Sequence, residues 1–316
     1  MKLYLSEEDV LACLTMPKAI ELLDVAFRQL ADGTAINHPR RRVILPTGSV
    51  LHYMAAATPD YFGLKAYSAN PKTGAHFEVL LYRSGDAMPL ATIAANHLGQ
   101  IRTGAATGLA TKYLSRADAS VAGIVGSGFQ AETQLEAISN VRKLREVRVW
   151  SRKPEKRAEF AKSCAAKFGL NVRAVETTRE CVEGVDIVVT MTSSKDPVLA
   201  GDWISPGTHI NAAGSNWAAR RELPTDLILD RGALVAVDSV EVGKIESGDL
   251  LIPVQERSGI SFPAVELADI IAGKQPGRID SSQITIFKSN GLALEDMAVA
   301  GYVYGEALQR GIGQRH

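Results

Sequence analysis

Val121-Ala122-Gly123-Ile124-Val125-Gly126-Ser127-Gly128-Phe129-Gln130-Ala131 is the stretch on which the reading of the fold turns. Its first five residues form an unbroken apolar run, the pattern of a parallel strand buried on both faces. Gly126 and Gly128 then permit a tight turn and a close approach of backbone to ligand. From Ala131 to Val141 the spacing predicts a helix with Leu135 and Ile138 facing inward. A helix N-terminus at the end of such a strand gathers unpaired N–H groups and the positive end of the helix dipole, which suit a phosphate. The turn matches G-x-G-x-x-G/A with Ala131 in the third place, and it predicts a dinucleotide held by its pyrophosphate through Gly126, Ser127, Gly128 and Gln130. An ordinary strand–turn–helix of another α/β protein would carry the same glycines, so the strand and helix on either side are what give the match its weight.

Working outward, Glu146 to Trp150 reads as the next strand and ends in Ser151-Arg152-Lys153-Pro154. This tip falls about 20 residues past the turn, where the residue that reads the adenosine ribose is expected. NAD-selective sites carry Asp or Glu there. Ser151 and Arg152 offer a hydroxyl and a guanidinium instead, which suit a 2′-phosphate, so NADP is favoured over NAD. The bland alternative is a solvated Arg152 beside a ribose that is read loosely.

Beyond the turn, apolar runs alternate with helical spacing: strands at 120–125, 146–150, 171–175, 185–191, 208–213, 233–237 and 284–287, and helices including Pro154 to Phe168 and Thr178 to Glu183. Alternation of this kind is the signature of a doubly wound parallel sheet. The front of the chain reads differently. Ser6 and Asp9 form a capping box, and Pro17 opens a helix over 18–32 that stops at Gly33. Short strands are expected at 42–45, 49–56, 63–69 and 76–83, then a helix over 98–114. The last helix, Ala293 to Arg310, offers Met297, Ala300, Val303 and Leu308 for a buried face. The expectation is an α/β chain: a Rossmann domain over 116–292, and an α+β domain made discontinuous by residues 1–115 with 293–316.

Composition narrows the classes. The 35 basic and 35 acidic residues cancel, which gives no electrostatic reason to expect nucleic acid or an anionic membrane. No apolar run nears the ~18 residues of a membrane span. Three scattered cysteines (Cys13, Cys164 and Cys181) argue for buried thiols in a reducing compartment, and a cytoplasmic location is expected. No metal site is expected.

Chemistry is sought at the carboxyl ends of the parallel strands and in the front domain. Thr190-Met191-Thr192-Ser193 and Ala213-Gly214-Ser215-Asn216 follow strands and carry small or hydroxylated side chains suited to a nicotinamide or ribose wall. In the front domain Lys65 interrupts the small and apolar run Phe62-Gly63-Leu64-Lys65-Ala66-Tyr67, a setting that predicts burial and a depressed pKa. Arg41 lies in Pro39-Arg40-Arg41-Arg42, and Arg102 opens a helix of Ala, Gly and Thr. Two guanidiniums and an ammonium would make a trap for a carboxylate. Taken singly, each is as readily a surface charge or a structural ion pair.

Several segments in order resemble the ornithine cyclodeaminase/mu-crystallin family over nearly the whole chain. They are Phe62-Gly63-Leu64-Lys65, 102–114 from Arg102-Thr103-Gly104 to Lys112-Tyr113-Leu114, 126–131, Gly207-Thr208-His209-Ile210-Asn211-Ala212-Ala213-Gly214-Ser215, Glu246-Ser247-Gly248-Asp249-Leu250 and Phe287-Lys288-Ser289-Asn290-Gly291. The resemblance implies a homodimer with a Rossmann domain and a second domain for substrate and dimerisation. It implies that Lys65 is catalytic, that Arg41 and Arg102 bind the substrate carboxylate, and that the glycine turn, Ser151 and Arg152, Thr190, Met191 and Thr192, Gly214 and Ser215, and Lys288, Ser289 and Gly291 form the cofactor site. True ornithine cyclodeaminases have an Asp where this chain has Asn216, and an amide cannot take a proton. The implied activity is therefore hydride transfer between NAD(P)H and the imine of a small α-imino or α-amino acid, as in ketimine reductases and alanine dehydrogenases. Redox-neutral conversion of ornithine to proline and ammonia is the first alternative, and a non-enzymatic binder of NADPH and a ligand is the second. His52, Tyr53, His76, Glu78, Trp217 and Arg220, with Asn216, are candidates for the wall around the substrate.

Overall fold

A computed structural model describes residues 2–257 and 259–315 of the 316. The chain divides into two compact units, Met1–Ala105 with Gly291–His316 and Ala106–Asn290.

The first unit begins with β1 (Leu3–Leu5), α1 (Glu7–Cys13) and α2 (Met16–Ala31). The capping box forms as the sequence predicts: Asp9 N–H donates to Ser6 Oγ, and the Ser6 N–H donates to the Asp9 carboxylate. Then come β2 (Ile36–Asn37), β3 (Arg41–Ile44), β4 (Val50–Ala57), β5 (Tyr61–Asn70), β6 (Gly74–Arg83) and β7 (Pro89–Ala94), followed by α3 (Asn96–Leu114). β1 and β7 have no counterpart among the expected strands. β1 is three residues long and pairs with β7 across the sequence, so no local turn announces it, whereas β7 returns on β6 through the turn over 84–88.

The second unit carries β8 (Val121–Val125), α4 (Phe129–Val141), β9 (Glu146–Trp150), α5 (Pro154–Phe168), β10 (Val172–Ala174), α6 (Thr178–Val182), β11 (Ile187–Thr190) and β12 (His209–Ala212). After these come α7 (Thr225–Leu229), β13 (Leu234–Val237), α8 (Val240–Glu246), α9 (Gly248–Glu256), β14 (Val265–Glu266), α10 (Leu267–Ile271) and β15 (Thr285–Lys288). The chain closes in the first unit with α11 (Ala293–Arg310) and β16 (Gln314–Arg315).

In the second unit every neighbouring pair is parallel, in the order β10-β9-β8-β11-β12-β15-β13-β14. The six-strand Rossmann order would seat β13 beside β12. Here β15 separates them. All four residues of β15 are buried, and a strand buried on both faces belongs in the interior of a sheet rather than near its rim. β8 is buried throughout for the same reason. Leu135 and Ile138 of α4 pack against it as expected.

The first unit's sheet runs β16-β1-β7-β6-β5-β4-β2, with β3 also pairing β4. α11 lies on one face. Two glycines let it approach: a Cβ on Gly63 would stand 2.8 Å from Met297 Sδ, and one on Gly301 would stand 2.4 Å from the Tyr61 ring. Met297, Ala300 and Val303 are buried as expected. Leu308 is exposed, and Ala307 takes the last inward position.

Candidate functional site

Two sets of residues stand out, one in each unit. In the second unit a cavity of about 1010 Å³ opens at the carboxyl ends of β8, β9, β11 and β12. Gly126, at φ +119°, begins its floor. A Cβ there would lie 2.3 Å from the Met191 carbonyl oxygen, so only glycine lets the turn pass beneath the end of β11. Gly128 is the N-cap of α4, and no side chain caps the first turn. A Cβ on Gly128 would meet nothing within 4 Å, which leaves the backbone open for close approach. Ser127 Oγ donates to Ser151 Oγ at 2.8 Å and ties the turn to the tip of β9.

Of the residues expected to hold a cofactor, Gly126, Ser127, Gly128, Gln130, Ser151, Arg152, Met191, Thr192 and Gly214 line this cavity. Trp150, Lys153, Lys156 and Pro197 also line it and were not singled out in the sequence. Lys156 sits in the first turn of α5, just before the buried stripe of Arg157, Ala161 and Cys164.

The other residues expected in the wall do not line this cavity and are engaged within the protein. The Thr190 hydroxyl turns into the protein and donates to Glu222 Oε2 at 2.9 Å. Lys288 is fully buried, and its ammonium meets Asp249 Oδ2 at 3.1 Å and the Ser215 carbonyl at 2.5 Å. Ser215 is buried as well. Ser289 Oγ points to Asp238 Oδ2 at 3.5 Å. Gly291 belongs to the first unit altogether, described below. Charged and hydroxyl groups at strand ends in a fully buried sheet need partners, and here the protein supplies them.

Those partners reveal a residue that sequence reading passed over. Glu222, wholly buried, accepts from Thr190 Oγ1, from the Thr192 N–H at 2.7 Å and from the Gly214 N–H at 2.8 Å. It gathers the ends of β11 and β12 around one carboxylate. Burial raises its pKa, against the pull of Lys288 and with help from Asp249. Its local sequence, Arg221-Glu222-Leu223, reads as an ordinary polar loop. Asn216 and Arg220 are half-buried and Trp217 is exposed, all in the segment after β12.

In the first unit Lys65 lies on the face of β5 that α11 covers, almost fully buried. Its Nζ donates to Asp296 Oδ1 at 2.7 Å. Arg102 of α3 donates from Nε to the same oxygen at 3.1 Å and from Nη1 to Glu295 Oε2 at 2.6 Å. Gly99, one helical turn before Thr103, makes room: a Cβ there would stand 2.9 Å from Lys65 Nζ. Gly291, at φ +81°, lies against Arg102, and a Cβ would come within 2.9 Å of Nη1. Burial pulls the Lys65 pKa down to about 8; Asp296 resists, while Arg102 and Arg40 add to the fall. Burial also opposes the Arg102 charge, but Asp296 and Glu295 outweigh it and raise that pKa above the ordinary arginine value.

Arg41 is corrected to Arg40. In an antiparallel sheet successive residues face opposite sides. β3 pairs Arg41 with Tyr53 and Arg42 with His52, while β4 pairs Met54 with Lys65. Arg42, His52 and Lys65 therefore share a face, and Arg41 lies on the other, exposed. Arg40 is buried and donates from Nη2 to the Gly291 carbonyl at 3.3 Å. The same register corrects three substrate-wall candidates: Tyr53, His76 and Glu78 face away from Lys65. His52 remains, stacked on Tyr67 at 4.3 Å, and Tyr67 stacks on Phe77 at 4.8 Å. Burial, then Arg42 and Arg40, lower the His52 pKa to about 4, so the ring is neutral at pH 7.

The first unit thus holds a buried ammonium from β5 and a buried guanidinium from α3, and the second an anion-ready turn on a doubly wound sheet. Together they define the class: an α/β protein with a doubly wound parallel sheet in one unit and a buried cluster of cations in the other. The comparisons agree: residues 1–311 match the model of the ornithine cyclodeaminase/mu-crystallin family, and the chain belongs to that family. It is 40% identical over 231 residues to a Delta(1)-pyrroline-2-carboxylate reductase of Bacillus cereus, covering 72% of this chain and 70% of that one. Among solved structures, Delta(1)-pyrroline-2-carboxylate reductase of Thermococcus litoralis, in complex with NADH and L-proline, superposes with a TM-score of 0.93 at 35% identity, over 99% of this chain and all of that one. An archaeal alanine dehydrogenase dimer with bound NAD also gives 0.93, at 31% identity over 99% of this chain and 98% of that one. No helix among the described residues is long and apolar enough to cross a membrane.

Proposed function

We propose that this chain is an NAD(P)-dependent oxidoreductase that moves hydride to or from the imine carbon of a small α-imino or α-amino acid. The observation that carries the reading is the buried Lys65–Arg102 pair, an ammonium whose proton is only loosely held beside a guanidinium that holds its charge firmly. Arg102 keeps Nη2 beyond its bonds to Glu295 and Asp296, and with Arg40 it suits a substrate carboxylate. Lys65 suits the nitrogen: as an ammonium it donates a proton to the imine, and as an amine it takes one back from the amino acid. A bound nicotinamide supplies or receives the hydride. Gly126, Gly128 and the first turn of α4 fit its pyrophosphate, because the turn is open where a Cβ would otherwise project. The relatives named for reduction of Delta(1)-pyrroline-2-carboxylate support an imine as the acceptor. Nicotinamide absorbance tests the reading directly. NADPH or NADH should be consumed with a cyclic or open-chain α-imino acid. Proline and ammonia from ornithine, with no net change in absorbance, would refute it in favour of cyclodeamination.

NADP is the favoured nucleotide. The tip of β9 lacks an acidic side chain, and Arg152, Lys153 and Lys156 line the cavity there. Replacing Arg152 by Ala removes one charge-assisted contact with a 2′-phosphate, worth about 1.5–3 kcal/mol, or roughly 10–100-fold in affinity. NADPH binding should weaken by that factor while NADH binding barely moves. A wild-type protein that preferred NADH in the same titration would end this assignment.

A homodimer is the proposed assembly. The sheet face opposite α11 exposes Val43, Leu51 and Tyr53, and an antiparallel sheet with an apolar outer face calls for a cover. The archaeal alanine dehydrogenase is a dimer. Sedimentation as a particle of one chain mass would contradict it.

A further inference from the structure

We propose that Asp296 is the positioning residue that keeps the Lys65 proton ready for the imine nitrogen. The inference rests on the assignment of Lys65 as proton carrier made above. Glu295 and Asp296 are consecutive in the first turn of α11, and both are wholly buried, yet they are not equivalent. Glu295 pairs with Arg102 at 2.6 Å. Asp296 Oδ1 accepts from Lys65 Nζ at 2.7 Å and from Arg102 Nε at 3.1 Å, so one oxygen fixes the ammonium and the guanidinium relative to each other. A second observation points the same way. Asp296 Oδ2 is buried with no hydrogen-bond partner among the described residues. A buried carboxylate oxygen without a donor is costly, and the N–H of an imine or amine beside Lys65 is the kind of donor it lacks.

The step balances without consuming Asp296. An Nζ–H bond of Lys65 breaks as an N–H bond forms on the imine. Hydride from the reduced nicotinamide, the cofactor of the proposed reaction, adds to the imine carbon, and the C=N π pair becomes the nitrogen lone pair. Lys65 is left neutral and regains its proton from water. Asp296 stays a carboxylate and sets how firmly the proton is held between turnovers. Against it stand Arg102 from α3 and Arg40 from the segment before β3, both of which drive the proton off. From β6 the neutral Phe77 ring faces Nζ at 5.7 Å, and from β4 His52 is neutral.

The fall in kcat for imine reduction at high pH reads this balance. Removing an opposite charge at contact distance shifts a pKa by about 1–3 units, so in Asp296→Asn that fall should move about 1–3 pH units toward acid. Asp296→Glu, which restores the charge, should return it toward the wild-type position. In Glu295→Gln it should move much less than in Asp296→Asn, because the ion pair of Glu295 is with Arg102 and that of Lys65 is with Asp296. Should the amide variant fail to fold, Asp296→Ser, which admits water in place of the carboxylate, gives the same reading. A fall at the wild-type pH in a folded Asn or Ser variant overturns the inference while leaving Lys65 as proton carrier. Undiminished turnover in Lys65→Ala would instead overturn the reading on which it rests.

Discussion

Replacing Lys65 by Ala is expected to lower turnover with an imino acid by about 10²–10⁴-fold, the usual worth of one proton-transferring side chain. Nucleotide affinity should be unchanged, because Lys65 is not among the residues that line the nucleotide cavity. The variant also removes one of the two donors to Asp296 Oδ1, but Arg102 Nε remains on that oxygen, so the carboxylate is not stranded. A companion Lys65→Met variant keeps the volume of the side chain and separates lost chemistry from lost packing. Lys65 gives up its proton near pH 8. Below that it is an acid and serves imine reduction, which consumes a proton. Above it, the free amine serves amino acid oxidation, which releases one. Reduction should therefore decline, and oxidation rise, as the pH passes through about 8. Parallel profiles in the two directions, or full turnover in the Ala variant, would remove Lys65 from the chemistry.

Gly126→Val should abolish nucleotide binding and lower the melting temperature together. The residue holds φ +119°, a conformation that a β-branched side chain rarely adopts, at a backbone cost of about 1–3 kcal/mol. The new Cβ would also stand 2.3 Å from the Met191 carbonyl oxygen, backbone against which nothing can rotate away. Either the turn or the end of β11 must shift, and both line the nucleotide cavity. Gly128→Ala is the useful contrast. Its Cβ meets no protein atom within 4 Å, so stability should hold while any loss of nucleotide affinity reports the space left for the ligand. Retained NADPH affinity in Gly126→Val would show that the pyrophosphate binds elsewhere.

Much of the fold was legible because its signals are local. The apolar run at 121–125 and the alternating, β-rich stretch at 146–150 are too short for anything but strands, and α5 and α11 span the residues their patterns predict. β1 was missed because its partners are distant in sequence, and α7 to α10 because five to nine residues carry too few turns to show a period.

The sequence by itself determined that a glycine turn joins a buried strand to a helix within a parallel α/β unit, and that Lys65 and Arg102 sit where small neighbours allow burial. Tertiary structure alone decided the rest. Alternation along Arg40-Arg41-Arg42 specifies a period of two but not its phase; pairing of β3 with β4 sets that phase and turns Arg40 and Arg42, not Arg41, toward the face of Lys65. The place of β15 between β12 and β13 follows from burial on both faces, which strand pairing settles across the whole unit. Asp296 reaches Lys65 across 231 residues of chain, and Glu222 draws together two strand ends that no local pattern connects. Periodicity is a property of neighbours along the chain, whereas a charge balance is made by whatever the folded chain brings within about 4 Å.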